Sequence, residues 1–203
     1  MTRIIAVGAI FACTAIYNSA GINPDALTSF GGSPERAAGL GSLAFVAVAV
    51  LIIAPLLEEG VFRLWLSFKK WQVALSAALI PVIIMWQYYR LFSPTQYITC
   101  VAAAAIVFAA INYATRQTIW SRLRDTRLVT ASWISAAAFG LCHLIAFSTI
   151  SWTLLPYCLC VLLVPFFGGC ACVYLRINAG FPWAVALHAF NNLPALLVIA
   201  AIP

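Results

Sequence analysis

Apolar residues in this chain come in long blocks separated by short polar gaps, without the strict alternation that a half-buried strand needs. Seven blocks reach the roughly 17 to 25 residues that cross ~30 Å of hydrocarbon as helix. They run approximately from Ile4 to Ala20, Ala38 to Leu57, Trp71 to Phe92, Gln96 to Ala114, Val129 to Phe147, Trp152 to Leu175 and Phe181 to Ile202. The pattern predicts an all-α, polytopic transmembrane helical bundle of about seven spans, and the absence of short alternating segments excludes a β-barrel. Between the first two blocks, Gly21 to Ala37 is rich in Gly, Pro and Ser and reads as an exposed loop. With no internal repeat and no linker, residues 1–203 read as a single integral-membrane domain.

Composition sharpens the class. Hydrophobic residues make up 65% and charged residues 8% of the chain, against about 45 to 50% and about 25% in soluble globular proteins. That balance excludes a soluble enzyme, a disordered tail and a secreted disulfide scaffold. The net charge of +6 does not point to nucleic acid, because the Lys and Arg residues are scattered between apolar runs and form no basic face. They report topology instead. Nine of them (Arg3; Arg63, Lys69, Lys70; Arg116, Arg122, Arg124, Arg127; Arg176) fall on one side of a seven-span arrangement, and two (Arg36, Arg90) on the other. The amino terminus is therefore expected in the cytoplasm. Small size and short loops suggest a prokaryotic cytoplasmic membrane. The amino-terminal block resembles a signal peptide, but an uncleaved first helix is the preferred reading. The seven cysteines all lie in apolar runs at spacings that match no zinc or redox site, and they read as packed or lipid-facing thiols.

Within the spans, ionisable residues are expensive and therefore informative. They concentrate in Glu58-Glu59-Gly60-Val61-Phe62-Arg63, Phe139-Gly140-Leu141-Cys142-His143 and His188-Ala189-Phe190-Asn191-Asn192. If helix continues through the first segment to Lys69 and Lys70, Glu59 and Arg63 share a face and form an i, i+4 ion pair. Glu58 is left without a partner on its own helix, with Phe62 one turn below, a setting suited to a general base. The bland alternative is that both acids merely mark the membrane boundary. Pro55 is expected to kink or break the helix, since one straight helix from Ala38 to Phe68 would overshoot the bilayer. Phe139 lies one turn before His143 and would hold its imidazole still. His188 and Asn192 present two donors to one point, as an oxyanion hole requires; the alternative is interhelical hydrogen-bonding glue. Counted from the cytoplasmic ends, all four polar residues reach similar depths.

Taken together, Glu58-Glu59-x-x-x-Arg63, Phe139-x-x-x-His143 and His188-x-x-x-Asn192 resemble the three signatures of the CPBP family, which comprises the CAAX-type prenyl-protein endopeptidases, the Abi or bacteriocin-processing proteins and the Ras-converting type of glutamic intramembrane protease. The resemblance covers about residues 55–195 and includes Tyr174-Leu175-Arg176 through Trp183; Ile-Asn-Ala-Gly between Arg176 and Phe181 departs from the usual lead-in. It implies an intramembrane endopeptidase in which Glu58 and His143 activate a water, His188 and Asn192 stabilise the oxyanion, and Glu59, Arg63 and Phe139 shape the site. It implies a membrane-anchored or membrane-adjacent protein or peptide as substrate. No cofactor is expected. Zinc is the alternative, since two His and two Glu are present, but H-E-x-x-H is absent. The competing functions are a non-catalytic bacteriocin-immunity or scaffold protein, and a proton or cation transporter; the latter usually shows two related halves, which this chain lacks.

Overall fold

The computed structural model describes residues 43–88, 93–146, 152 and 155–201, and within them the chain is helical, with no strand. Six helices follow one another: α1 Leu43–Phe62, α2 Lys70–Tyr88, α3 Pro94–Ala114, α4 Gln117–Cys142, α5 Leu155–Asn178 and α6 Phe181–Ala201. Three of them, α1, α3 and α5, are long and apolar enough to cross a membrane by length and composition, and Lys70–Met85 of α2 is a shorter apolar stretch. The first expected span, Ile4 to Ala20, and the Gly21 to Ala37 loop lie outside the described residues, as do Ala38, Phe92, Phe147 and Ile202 at the ends of other expected spans.

Helix α1 stays continuous through Pro55 by widening. Residues Ala49–Ile53 adopt a π-helix, and the Ala54 N–H reaches back five residues to the Ala49 carbonyl. A proline carries no N–H and its ring crowds the carbonyl four residues earlier, so a local change of register relieves the clash. The expected break at Pro55 is thus a bulge. Nor does the helix run on to Lys69 and Lys70, as the reading of the Glu58 to Arg63 segment assumed. It stops at Phe62, and a 3-10 turn over Leu64–Ser67 leads to Phe68 in the left-handed region, φ 55°. That conformation costs a non-glycine residue about 1 to 2 kcal/mol. Phe68 is buried with Leu66, Ala131, Ala136 and Val173, and burial of an aromatic ring offsets a strain of that size.

The remaining ends are set by local chemistry. Ser93 and Gln96 form a reciprocal capping box at the start of α3, with Gln96 N–H donating to Ser93 Oγ (3.3 Å) and Ser93 N–H to Gln96 Oε1 (2.9 Å). Gly180, at φ 104°, ends α5 and turns the chain directly into α6. Residues 117–128, expected as a connection, are the first three turns of α4.

Around the bundle, α3 packs on α2, α2 on α1, α1 on α6, α6 on α5 and α5 on α4, while α4 also touches the carboxyl end of α1 and the turn after it. The end of α1 is consequently enclosed by α2, α4, α5 and α6. Large apolar side chains cover much of the outside; on α3, Ile98, Val101 and Ile106 are exposed. Such a surface suits contact with hydrocarbon rather than water.

Candidate functional site

Glu58 and Glu59 sit in the last turn and a half of α1, about 100° apart on the helix. The step turns Glu59 fully inward, at 0% exposure, and leaves the Glu58 side chain 18% exposed. Arg63, four residues on, is likewise 0% exposed, and its Nη1 lies 3.1 Å from Glu59 Oε1. The N–H is not directed at that oxygen, so the contact is an ion pair rather than an aligned hydrogen bond. The guanidinium instead lies over Phe139 of α4, its Cζ 3.9 Å from the ring centroid, a cation–π contact that is strongest when desolvated. Arg63 therefore belongs to the interior and not to a cytoplasmic connection. The charge bias of the sequence becomes eight against two without it.

Phe139 is the hub. Its ring packs edge-on against Phe62 (5.3 Å), His143 (4.9 Å) and His188 (5.5 Å). His143 Nδ1 donates to the Phe139 carbonyl at 2.8 Å in the tautomer that bond selects, which makes Nε2 the lone-pair nitrogen of the neutral ring. His143 also lies within electrostatic reach of Glu58, His188 and Arg63.

His188 of α6 joins the two acids. Its Nδ1 donates to Glu59 Oε1 at 2.8 Å, and its Nε2 lies 3.5 Å from Glu58 Oε2. Two carboxylates, one guanidinium and one imidazole are neutral as a group when they hold a single extra proton, on either Glu58 or His188. With that proton on His188, the same state supplies a carboxylate at Glu58 and a charged donor beside it.

Asn192, one turn beyond His188, points to a different partner. Its Nδ2 donates to the Val50 carbonyl at 3.0 Å. In the π register of α1 the residue that would serve Val50 is Pro55, which has no N–H to give, and Asn192 fills the place. His188 and Asn192 thus do not both aim at one point: the first meets the acids, the second mends α1. An amide carries two N–H bonds, so one Asn192 donor is left for other work.

Several positioning side chains escaped the sequence reading. The last carbonyls of a helix have no intrahelical donors, and here α2, α4, α5 and the turn after α1 supply them. Ser76 Oγ of α2 donates to Val61 O (2.6 Å), Ser135 Oγ of α4 to Phe62 O, and Trp65 Nε1 also to Phe62 O (2.8 Å). Arg176 of α5 donates from Nε to Arg63 O (3.1 Å) and from Nη2 to Leu64 O (3.2 Å) and Gln72 Oε1 (3.0 Å). Gly169 of α5 makes room for the ion pair: a Cβ there would stand 2.6 Å from Arg63 Nη2 and 3.2 Å from Phe139 Cδ1. The only sequence signals were isolated serines and a Gly-Gly pair within apolar runs.

Among the described residues, no group of three His, Cys, Asp or Glu side chains is arranged to hold a metal ion. The described cysteines are free thiols, with Cys100, Cys158 and Cys172 buried. No family model, no curated protein and no solved structure matches the chain.

Proposed function

We propose that this protein is a CPBP-type intramembrane endopeptidase, hydrolysing a peptide bond of a membrane-anchored or membrane-adjacent protein or peptide. The observation that carries the reading is the meeting of a partly exposed carboxylate, Glu58, with His188 at 3.5 Å, beside an acid and an arginine held fully out of solvent. Glu58 takes a proton from the attacking water with His143 orienting it. Protonated His188 donates to the developing oxyanion, and Asn192 holds the Val50 carbonyl of α1. Glu59 holds the Nδ1 side of His188, so that Nε2 faces the reaction, and Arg63 balances the charge of Glu59. Water is the nucleophile and no metal takes part.

The chain crosses a prokaryotic cytoplasmic membrane seven times with its amino terminus inside. Support comes from the clustering of basic connections at one end of the bundle. Lys70 N–H donates to Gln117 Oε1 (2.8 Å), Gln117 Nε2 to Phe68 O (3.0 Å) and Lys70 Nζ to Asn112 O (2.9 Å). The turns carrying Lys69, Lys70 and Arg116 therefore lie together, as the positive-inside rule requires.

A second reading, an immunity or scaffold protein without catalysis, draws support from the Asn192 bond to Val50, because a donor used to mend a helix serves structure. Replacing Glu58 with Gln separates the two. Under the protease reading, the substitution leaves expression unchanged and causes membrane precursors to accumulate, as read by proteomics of cells carrying either form. If every membrane precursor is processed equally with Glu58→Gln, the protease reading fails. Metal stripping of purified protein adds a separate check, since full activity must survive it.

A further inference from the structure

The amino-terminal turns of α4 have no part in the chemistry proposed above, yet they carry a concentration of charge. Arg116 caps the helix, and Arg122, Arg124 and Arg127 follow within it, with Asp125 the one acid among them. All are exposed, and none of the four guanidinium groups makes an ion pair or hydrogen bond among the described residues.

Length fixes where they stand relative to hydrocarbon. From Val129 to Cys142 α4 rises ~20 Å, and the 3-10 turn His143–Ala146 adds ~8 Å. Together these nearly match the ~30 Å apolar core of a bilayer, so with α4 read as one of the proposed spans Val129 falls at its edge. Arg127 then lies ~3 Å and Arg122 ~10 Å beyond that edge, within and just past a headgroup layer of roughly 5 to 8 Å per side.

Direction decides what kind of partner fits. On the helix Arg122 and Arg124 point about 160° apart, and Arg127 lies about 60° from Arg124. A protein partner would approach from one side and meet only part of this collar. A layer of phosphates follows the exposed side of the helix and meets each of these exposed guanidiniums.

We propose that the Arg122-Arg124-Arg127 collar, with Lys69 and Arg116 beside it, binds the phosphates of anionic phospholipid headgroups. The inference rests on the membrane-spanning part of the reading above and is independent of the proteolytic part. Charges near an anionic surface each contribute about a fivefold preference at physiological salt, and the attraction decays over a Debye length of about 8 Å.

The test uses full-length protein in mild detergent, equilibrated with equal amounts of dioleoyl phosphatidylglycerol and dioleoyl phosphatidylcholine, with retained lipid measured by mass spectrometry after gel filtration. Wild type is expected to retain the anionic lipid at least about fivefold over the zwitterionic one at 0.15 M salt, and to lose most of that preference at 0.5 M. R122Q/R124Q/R127Q should show a preference at least about fivefold smaller than wild type, R122K/R124K/R127K should keep the preference, and E58Q should match wild type. The proposal is overturned by equal retention in wild type, by a preference that survives 0.5 M salt, or by a preference unchanged in the Gln variant. It is also overturned if wild type binds a decaglutamate peptide while showing no lipid preference, which would assign the collar to an acidic protein segment. Should the Gln variant aggregate, the single variants R122Q, R124Q and R127Q decide the question, each expected to lower the preference up to about fivefold; a preference unchanged in all three overturns the proposal. Because the readout is lipid composition, a failed protease reading leaves this result unaffected.

Discussion

Removing Arg63 and Glu59 one at a time, and then together, tests the central ion pair directly. At 3.1 Å and an effective dielectric of 20, two unit charges attract by about 5 kcal/mol. Losing one partner of a buried pair typically costs about 3 to 5 kcal/mol, because the other charge is left buried alone. Arg63→Met is close in volume and keeps an apolar contact with Phe139, but strands the Glu59 carboxylate with only His188 Nδ1. Glu59→Gln keeps an oxygen for His188, but strands a guanidinium whose three nitrogens have no hydrogen-bond partner. Each single variant is therefore expected to lose about 3 to 5 kcal/mol. The double variant strands neither charge and should lose no more than about 2 kcal/mol, which makes the coupling about 4 kcal/mol or more. Reversible unfolding in mixed micelles, followed by tryptophan fluorescence, measures all four corners of the cycle. Additivity of the two single effects within about 0.5 kcal/mol would show that the charges do not depend on each other, and the account of the site would be wrong.

Gly169→Ala should destabilise by about 1 to 3 kcal/mol, since its Cβ would fall 2.6 Å from Arg63 Nη2; in Arg63→Met, whose end is flexible and uncharged, the same change should cost less, and thermal denaturation of both compares them. Asn192→Leu leaves the Val50 carbonyl without its side-chain donor and should cost about 1 to 3 kcal/mol, whereas Asn192→Gln should restore part of that loss; unfolding midpoints read the order. Ser135→Ala and Arg176→Met each remove donors from the end of α1, with losses of about 1 to 3 kcal/mol expected. In a processing assay both should lower turnover more than substrate affinity, because they displace Glu58 and leave the substrate path intact.

Residue order alone was enough for a good part of this. Long apolar blocks can satisfy their backbone groups only as helix, and among the described residues helices stand near six of the seven blocks drawn, except that α4 begins well before Val129 and α1 ends at Phe62. Spacing was enough for Glu59 and Arg63, because residues four apart meet on any helix whatever surrounds it. The same local rule placed Phe139 beside His143. It could not say what His188 or Asn192 would touch, since their partners lie 129 and 142 positions away along the chain.

Those partners came from packing. Asn192 turns to Val50 because Pro55 and the π segment before it leave a carbonyl that only a neighbouring helix can serve. Arg176, counted from sequence as a topology marker, reaches back across more than a hundred residues to the end of α1, since α5 happens to cross there. Arg63 looked like a cytoplasmic charge and proved to be the most deeply enclosed cation among the described residues, because the bundle closes around the end of α1 and Gly169 leaves space for it. Helix formation and i, i+4 pairing depend on neighbours within a turn or two, so they are written in the order of residues. Burial, hydrogen-bond choice and charge pairing across the bundle depend on which helices approach and how closely, and only the assembled fold decides that.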